Sequence, residues 1–74
     1  MITKDFAKRV VANHARGLVT MTKSGNIYYA ELIDFDKFEP GKAMVVVRRV
    51  DREDPGYAPI VAGYQMGSGW HVMG

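Results

Sequence analysis

Residues 43–50 read Ala43-Met44-Val45-Val46-Val47-Arg48-Arg49-Val50. Three successive valines are stiff at χ1 and favour extended backbone. On a strand, Met44, Val46 and Val50 fall on one side, and Ala43, Val45 and Val47 on the other. An antiparallel strand with one wet face carries apolar residues on one side only. This stretch therefore predicts a strand that is covered on both faces.

The chain on either side supplies its neighbours. Ile27 to Ile33 is rich in β-formers and predicts a strand. Leu18 to Lys23 predicts another, with Val19 and Met21 opposite Thr20 and Thr22. Ser24-Gly25-Asn26 between them forms a tight turn, because Gly and Asn tolerate positive φ. Asp34 to Lys42 reads as a loop ending in the turn pair Pro40-Gly41. Beyond residue 50, Asp51 to Gly56 is a polar turn. Pro59 to Met66 is a fourth strand, and Pro59 confines its beginning to an edge or a strand start. Gly67-Ser68-Gly69 turns the chain into a short fifth strand, Trp70 to Met73.

One helix precedes the strands. Thr3 to Arg16 has an N-cap residue at Thr3, an acid at Asp5 in the first turn, and Gly17 just past the end. At about 100° per residue, Phe6, Ala7, Val10, Val11 and His14 share one arc. Lys8, Arg9, Ala12 and Arg16 share the other. The fold class is thus α+β: an N-terminal helix on a four- to five-stranded antiparallel meander, in a single domain over residues 1–74. One helix covers one face of residues 43–50. The other face calls for the sheet to curl into a small barrel, for a second copy of the chain, or for a partner.

Composition agrees with a small globular domain. The chain has 74 residues, 47% of them hydrophobic and 24% charged, with no cysteine. A chain this short buries only about 60% of the surface its unfolded form exposes. No disulfide or thiolate metal site can compensate. Lys4, Asp5, Lys8 and Arg9 interrupt the start before any apolar stretch of signal-peptide length. The longest apolar run, Ala43 to Val47, falls far short of the roughly 20 residues of a membrane span. The expectation is a soluble, cytoplasmic chain that does not enter membranes.

The net charge of +2 is unevenly spread. Residues 1–23 carry Lys4, Lys8, Arg9, Arg16 and Lys23 against Asp5. Residues 24–47 carry Lys37 and Lys42 against Glu31, Asp34, Asp36 and Glu39. Residues 48–74 balance Arg48, Arg49 and Arg52 against Asp51, Glu53 and Asp54. A basic start and an acidic middle predict two patches of opposite sign.

Catalytic chemistry finds little support. His14 lies on the apolar arc of the helix and reads as a packed residue. His71 follows Trp70 on the last strand. Two histidines without cysteine or spaced carboxylates make no zinc site. Asp34 with Asp36, and Glu53 with Asp54, lack the glycine pattern of a calcium loop and read as turn residues. Gly67-Ser68-Gly69 lies between two strands, which is the wrong context for a phosphate cradle. Ser24 and Ser68 sit in turns with no base nearby. No cofactor or metal is expected. The enzymatic reading that survives on paper is a metal-free nuclease-type toxin using His71, His14, Arg48 and Arg49.

Two binding features stand above background. The first runs Glu31-Leu32-Ile33-Asp34-Phe35-Asp36-Lys37-Phe38-Glu39. Phe35 and Phe38 either seal the open end of the sheet or anchor a partner. Glu31, Asp34, Asp36 and Glu39 would steer them to a basic surface. This predicts a non-catalytic protein-binding inhibitor or adaptor acting on a nucleic-acid-handling factor. Stand-alone chains of this size without catalytic residues are common among phage and mobile-element proteins. The second feature is Lys8, Arg9, Arg16, Arg48, Arg49 and Tyr29. Basic groups beside an aromatic could hold phosphates and stack a base, so DNA or RNA is the alternative partner.

Overall fold

The computed structural model describes residues 2–34, 43–65 and 67–73. Phe35, Asp36, Phe38, Glu39, the Pro40-Gly41 turn and Met66 lie outside the described residues.

Helix α1 spans Lys4–Ala15. Its start is fixed by Thr3, whose backbone is extended and whose Oγ1 accepts a hydrogen bond from the Phe6 amide at 3.1 Å. That bond satisfies one of the four amides a helix start leaves unpaired. At the other end the amides of Gly17 and Leu18 donate back to the carbonyls of His14 and Asn13, each at 2.9 Å. Gly17 has φ +79°, which a residue with a Cβ adopts only at a cost. The pair of back-bonds is a Schellman motif. Thr3→Ala is expected to destabilise the fold by about 1 kcal/mol, a drop in melting temperature of roughly 4–8 °C at this chain size. Thermal melting followed by circular dichroism measures it, and Thr3→Ser should melt like the parent.

The same motif corrects the next element. A strand over Leu18 to Lys23 is expected, but strand β1 is only Thr20–Met21. The Leu18 amide is already consumed by the helix end. Thr22 is consumed by the turn: its amide donates to the Asn26 carbonyl, and its carbonyl and Oγ1 accept from the amides of Gly25 and Asn26. Gly25 holds φ +89° at the tip.

The remaining strands are β2 (Ile27–Asp34), β3 (Ala43–Arg49), β4 (Ile60–Gln65) and β5 (Gly69–Val72). Each pairs antiparallel with the next, so the sheet order follows the chain, β1-β2-β3-β4-β5. The architecture is one helix on a five-stranded meander. Barrel closure, one of the expected ways to cover β3, does not occur. The edge strands β1 and β5 are not bonded to each other. With two residues at one edge and four at the other, too little ladder exists to join them.

The core lies between α1 and one sheet face. Ala7 and Val10 pack on Tyr28, Val47, Val61 and Ala62, all at most 6% exposed. Phe6 meets Tyr28 edge to face, with ring centroids 5.0 Å apart, a favoured aromatic geometry. The register slips where Val47 pairs with Ala62 but Arg48 pairs with Ile60. Val61 is the extra residue of this β-bulge. The bulge brings Val61 and Ala62, consecutive in sequence, into the same core cluster. Two further ties hold the periphery. Asn13 Nδ2 donates to the buried Thr20 Oγ1 at 2.8 Å, fastening α1 to β1. Arg52 donates to the Ser24 carbonyl at 3.0 Å, fastening the β3–β4 loop to the first turn.

Candidate interaction surface

Strand β2 is longer than the helix that covers it. Twelve helical residues run about 18 Å. Eight strand residues run about 27 Å. The far part of the β2–β3 hairpin therefore extends past α1. Cross-strand partners share a face, so one register row can be followed across the sheet. The row under the helix is Ala30–Val47–Ala62–Val72. The next row outward on the same face is Leu32–Val45–Tyr64–Trp70.

This outer row is the most exposed apolar part of the sheet's interior strands. Leu32 is 65% exposed and Tyr64 is 38% exposed. Trp70 is half-buried and packs against the core. It also lies 5.4 Å, centroid to centroid, from Tyr64. The row thus forms an apolar ledge of four side chains from four strands, resting on the core at its Trp70 end. Two residue pairs farther on, the register closes at Asp34 and Ala43. From Asp34 the chain continues into the acidic and aromatic sequence of residues 35–39, outside the described residues.

The expected partner-binding residues fall in different places. Glu31 is exposed but points to the face away from α1. There its Oε2 lies 3.4 Å from Arg48 Nε. Asp34 ends β2. Phe35, Asp36, Phe38 and Glu39 are outside the described residues. Leu32 was not singled out from sequence as an anchor. The signal available was length: a strand of this reach cannot be covered by a helix of three turns.

The expected nucleic-acid residues are divided between the two sides. Lys8 and Arg9 are exposed on α1, and Arg16 is exposed at its C-cap. Arg49 pairs with Tyr28 and shares the helix face. Arg48 pairs with Tyr29 on the opposite face, and it donates from Nη1 to the Ala58 carbonyl at 2.8 Å. Arg48 and Tyr29 therefore cannot join the helix cations on one patch.

The histidines are divided in the same way. His14 is exposed in the last turn of α1, not packed as its place on the apolar arc implies. It follows Val10 by four residues, but α1 ends before the sheet can cover it. His71 pairs with Gly63, on the face turned away from the helix. The two lie on opposite sides of the sheet and cannot serve one substrate as acid and base. Among the described residues, no three His, Asp or Glu side chains come together in a group that could hold a metal ion. No helix there is long and apolar enough to cross a membrane.

A cleft of about 400 Å³ opens between the start of α1 and the β1–β2 turn, lined by Ile2, Thr3, Phe6, Thr22, Ser24, Asn26 and Tyr28. Its polar groups are largely engaged locally: Thr3 caps the helix, and the Thr22 and Ser24 hydroxyls bond each other at 2.9 Å.

Comparison with known proteins gives no match. The chain matches no protein-family model, no curated protein and no solved structure.

Proposed function

We propose that the chain is a non-catalytic protein-binding module, an inhibitor or adaptor that presents the far end of its β2–β3 hairpin to a basic surface on a nucleic-acid-handling factor. One observation carries the reading. The Leu32–Val45–Tyr64–Trp70 row is an apolar ledge that α1 leaves uncovered, two residues before Asp34, where the chain enters its acidic sequence. Aromatic and aliphatic anchors inside a charged rim are the usual anatomy of a protein interface. The rim charge sets the sign of the partner and speeds encounter. A phage or mobile-element origin fits a small module that blocks a host factor.

The nucleic-acid alternative has its own support, the exposed Lys4, Lys8 and Arg9 along α1 and Arg16 at its C-cap. It is separable, since binding through that face would weaken steeply as salt rises.

Affinity capture from the native host, with mass spectrometry and nucleic-acid staining, names the captured species. Titration calorimetry with the purified species then compares three variants with the parent. Leu32→Asp/Tyr64→Ser and Phe35→Ala/Asp36→Lys should each weaken binding at least about 100-fold, the scale of losing interface anchors. Lys8→Glu/Arg9→Glu should bind like the parent. A nuclease-sensitive captured species, or full affinity in Leu32→Asp/Tyr64→Ser, overturns the reading.

A further inference from the structure

Strand β2 has an edge that the rest of the sheet leaves open. β1 pairs only with Ile27 and Tyr28, so among the described residues no strand lies beside Tyr29 to Asp34 on that side. The cause is the helix end, which takes the Leu18 amide and keeps β1 short. Edges of this kind are normally blunted by a proline, a lysine or a bulge. Residues 29–34 contain neither proline nor lysine, and the register of β2 with β3 runs unbroken.

The hydrogen-bond phase of β2 decides which of its groups face the gap. The Val50 amide donates to the Ile27 carbonyl at 2.9 Å, so Ile27 bonds toward β3. In an antiparallel ladder the direction alternates along the strand, and Tyr29, Glu31 and Ile33 bond the same way. Tyr28, Ala30, Leu32 and Asp34 aim their amides and carbonyls to the other side. Tyr28 meets Thr20 of β1, and Ala30 is buried. Leu32 is exposed, so the accessible edge runs from Glu31 to Asp34. Four residues suffice for a strand in this sheet: β5 has that length and pairs with β4 along all of it.

The charge of this edge selects its occupant. Glu31 is exposed even beside Arg48, and residues 31–39 hold Glu31, Asp34, Asp36 and Glu39 against Lys37. A second copy adding its own β2 would gather these acids in one short ladder, where like charges destabilise the pairing. A basic segment meets charge of the opposite sign. We propose that the β2 edge from Glu31 to Asp34 takes a short extended segment of a basic protein as an added strand, in line with β1. The outward amide and carbonyl of Leu32 hold its backbone. An aliphatic residue opposite Leu32 extends the Leu32–Val45–Tyr64–Trp70 row by one. A Lys or Arg next to it, on the other face, pairs with Glu31. This deepens the function proposed above, on which it rests for the charge of the partner.

The probe is the capped peptide Lys-Val-Lys-Val-Lys-Val-Lys, with Glu-Val-Glu-Val-Glu-Val-Glu as its opposite, titrated into the full, isotopically labelled chain. By nuclear magnetic resonance the basic peptide should slow exchange of the Leu32 amide proton at least about tenfold, and the acidic one should leave it unchanged. Leu32→Pro removes the outward amide and spares the bonds to β3. It should abolish binding, read from the shifts of neighbouring amides. Leu32→Ala keeps the amide and should bind within about fivefold of the parent. Circular dichroism reports whether Leu32→Pro folds, and the peptide gives the same test from its own side. N-methylation of its valine amides should abolish binding, whereas N-methylation of its lysine amides should not. An unchanged Leu32 amide with the basic peptide overturns the proposal. So does an equal change with the acidic one, or a folded Leu32→Pro that binds like the parent. Exchange at Leu32 that slows as the chain alone is concentrated assigns the edge to a second copy and overturns it too. A captured basic protein that holds Leu32→Pro as tightly as the parent keeps the function proposed above and overturns only the strand pairing.

Discussion

Val47→Ala is expected to lower the unfolding free energy by about 2–3 kcal/mol. Val47 is fully buried at the centre of the row beneath α1. Removing its two methyl-sized groups forfeits roughly 0.8 kcal/mol each in transfer energy, and the cavity left behind adds to that. A domain of this length has about 4–11 kcal/mol to lose, on the scale of about 0.05–0.15 kcal/mol per residue. The melting temperature should therefore fall by roughly 10–20 °C. A fall of less than about 3 °C would mean that the contact of α1 with the sheet is not what holds the fold together. Val46→Ala makes the informative comparison. Val46 is equally buried and adjacent in sequence, but it faces away from the helix. Its loss should be of similar size, because it is covered within the chain to the same degree.

Ala7→Leu should produce a loss of similar size by the opposite route. Ala7 is 0% exposed where α1 rests on the sheet. Three extra carbons there must push the helix off Val47 and Ala62 or force strained rotamers, at about 1–3 kcal/mol. Alanine and leucine are both good helix formers, so the loss reads packing and not helix propensity. Ala12 lies exposed on the outer face of the same helix. Ala12→Leu should leave urea unfolding within about 0.5 kcal/mol of the parent. Equal effects at positions 7 and 12 would contradict the placement of α1.

Much of the fold was readable because its signals are local. Thr3, Asp5 and Gly17 mark the helix ends by the chemistry of unpaired backbone groups. Ser24-Gly25-Asn26 and Gly67-Ser68-Gly69 mark turns by the φ values they permit. What escaped depends on competition between elements. β1 is short because the helix end takes the Leu18 amide before the sheet can. The bulge at Val61 is invisible to alternation, since it is a mismatch between two strands. The valines of β3 showed that two faces need cover, but not that closure would fail for want of edge length. The ledge was missed for a similar reason. Leu32 has an ordinary strand pattern, and its exposure depends on where α1 stops in space. The acidic and aromatic segment was legible as composition, whereas the division of Arg48 and Tyr29 from the helix cations follows from register alone.

The meander also has unequal strands: β2 and β3 are long and central, while β1 and β5 at the margins have two and four residues. An unpaired margin is where sheets from different molecules fuse end to end. Here β1 pairs only Ile27 and Tyr28, so among the described residues Tyr29 to Asp34 of β2 have no strand beside them on that side. The short first strand therefore leaves β2 an edge to which a further extended segment could add by backbone pairing.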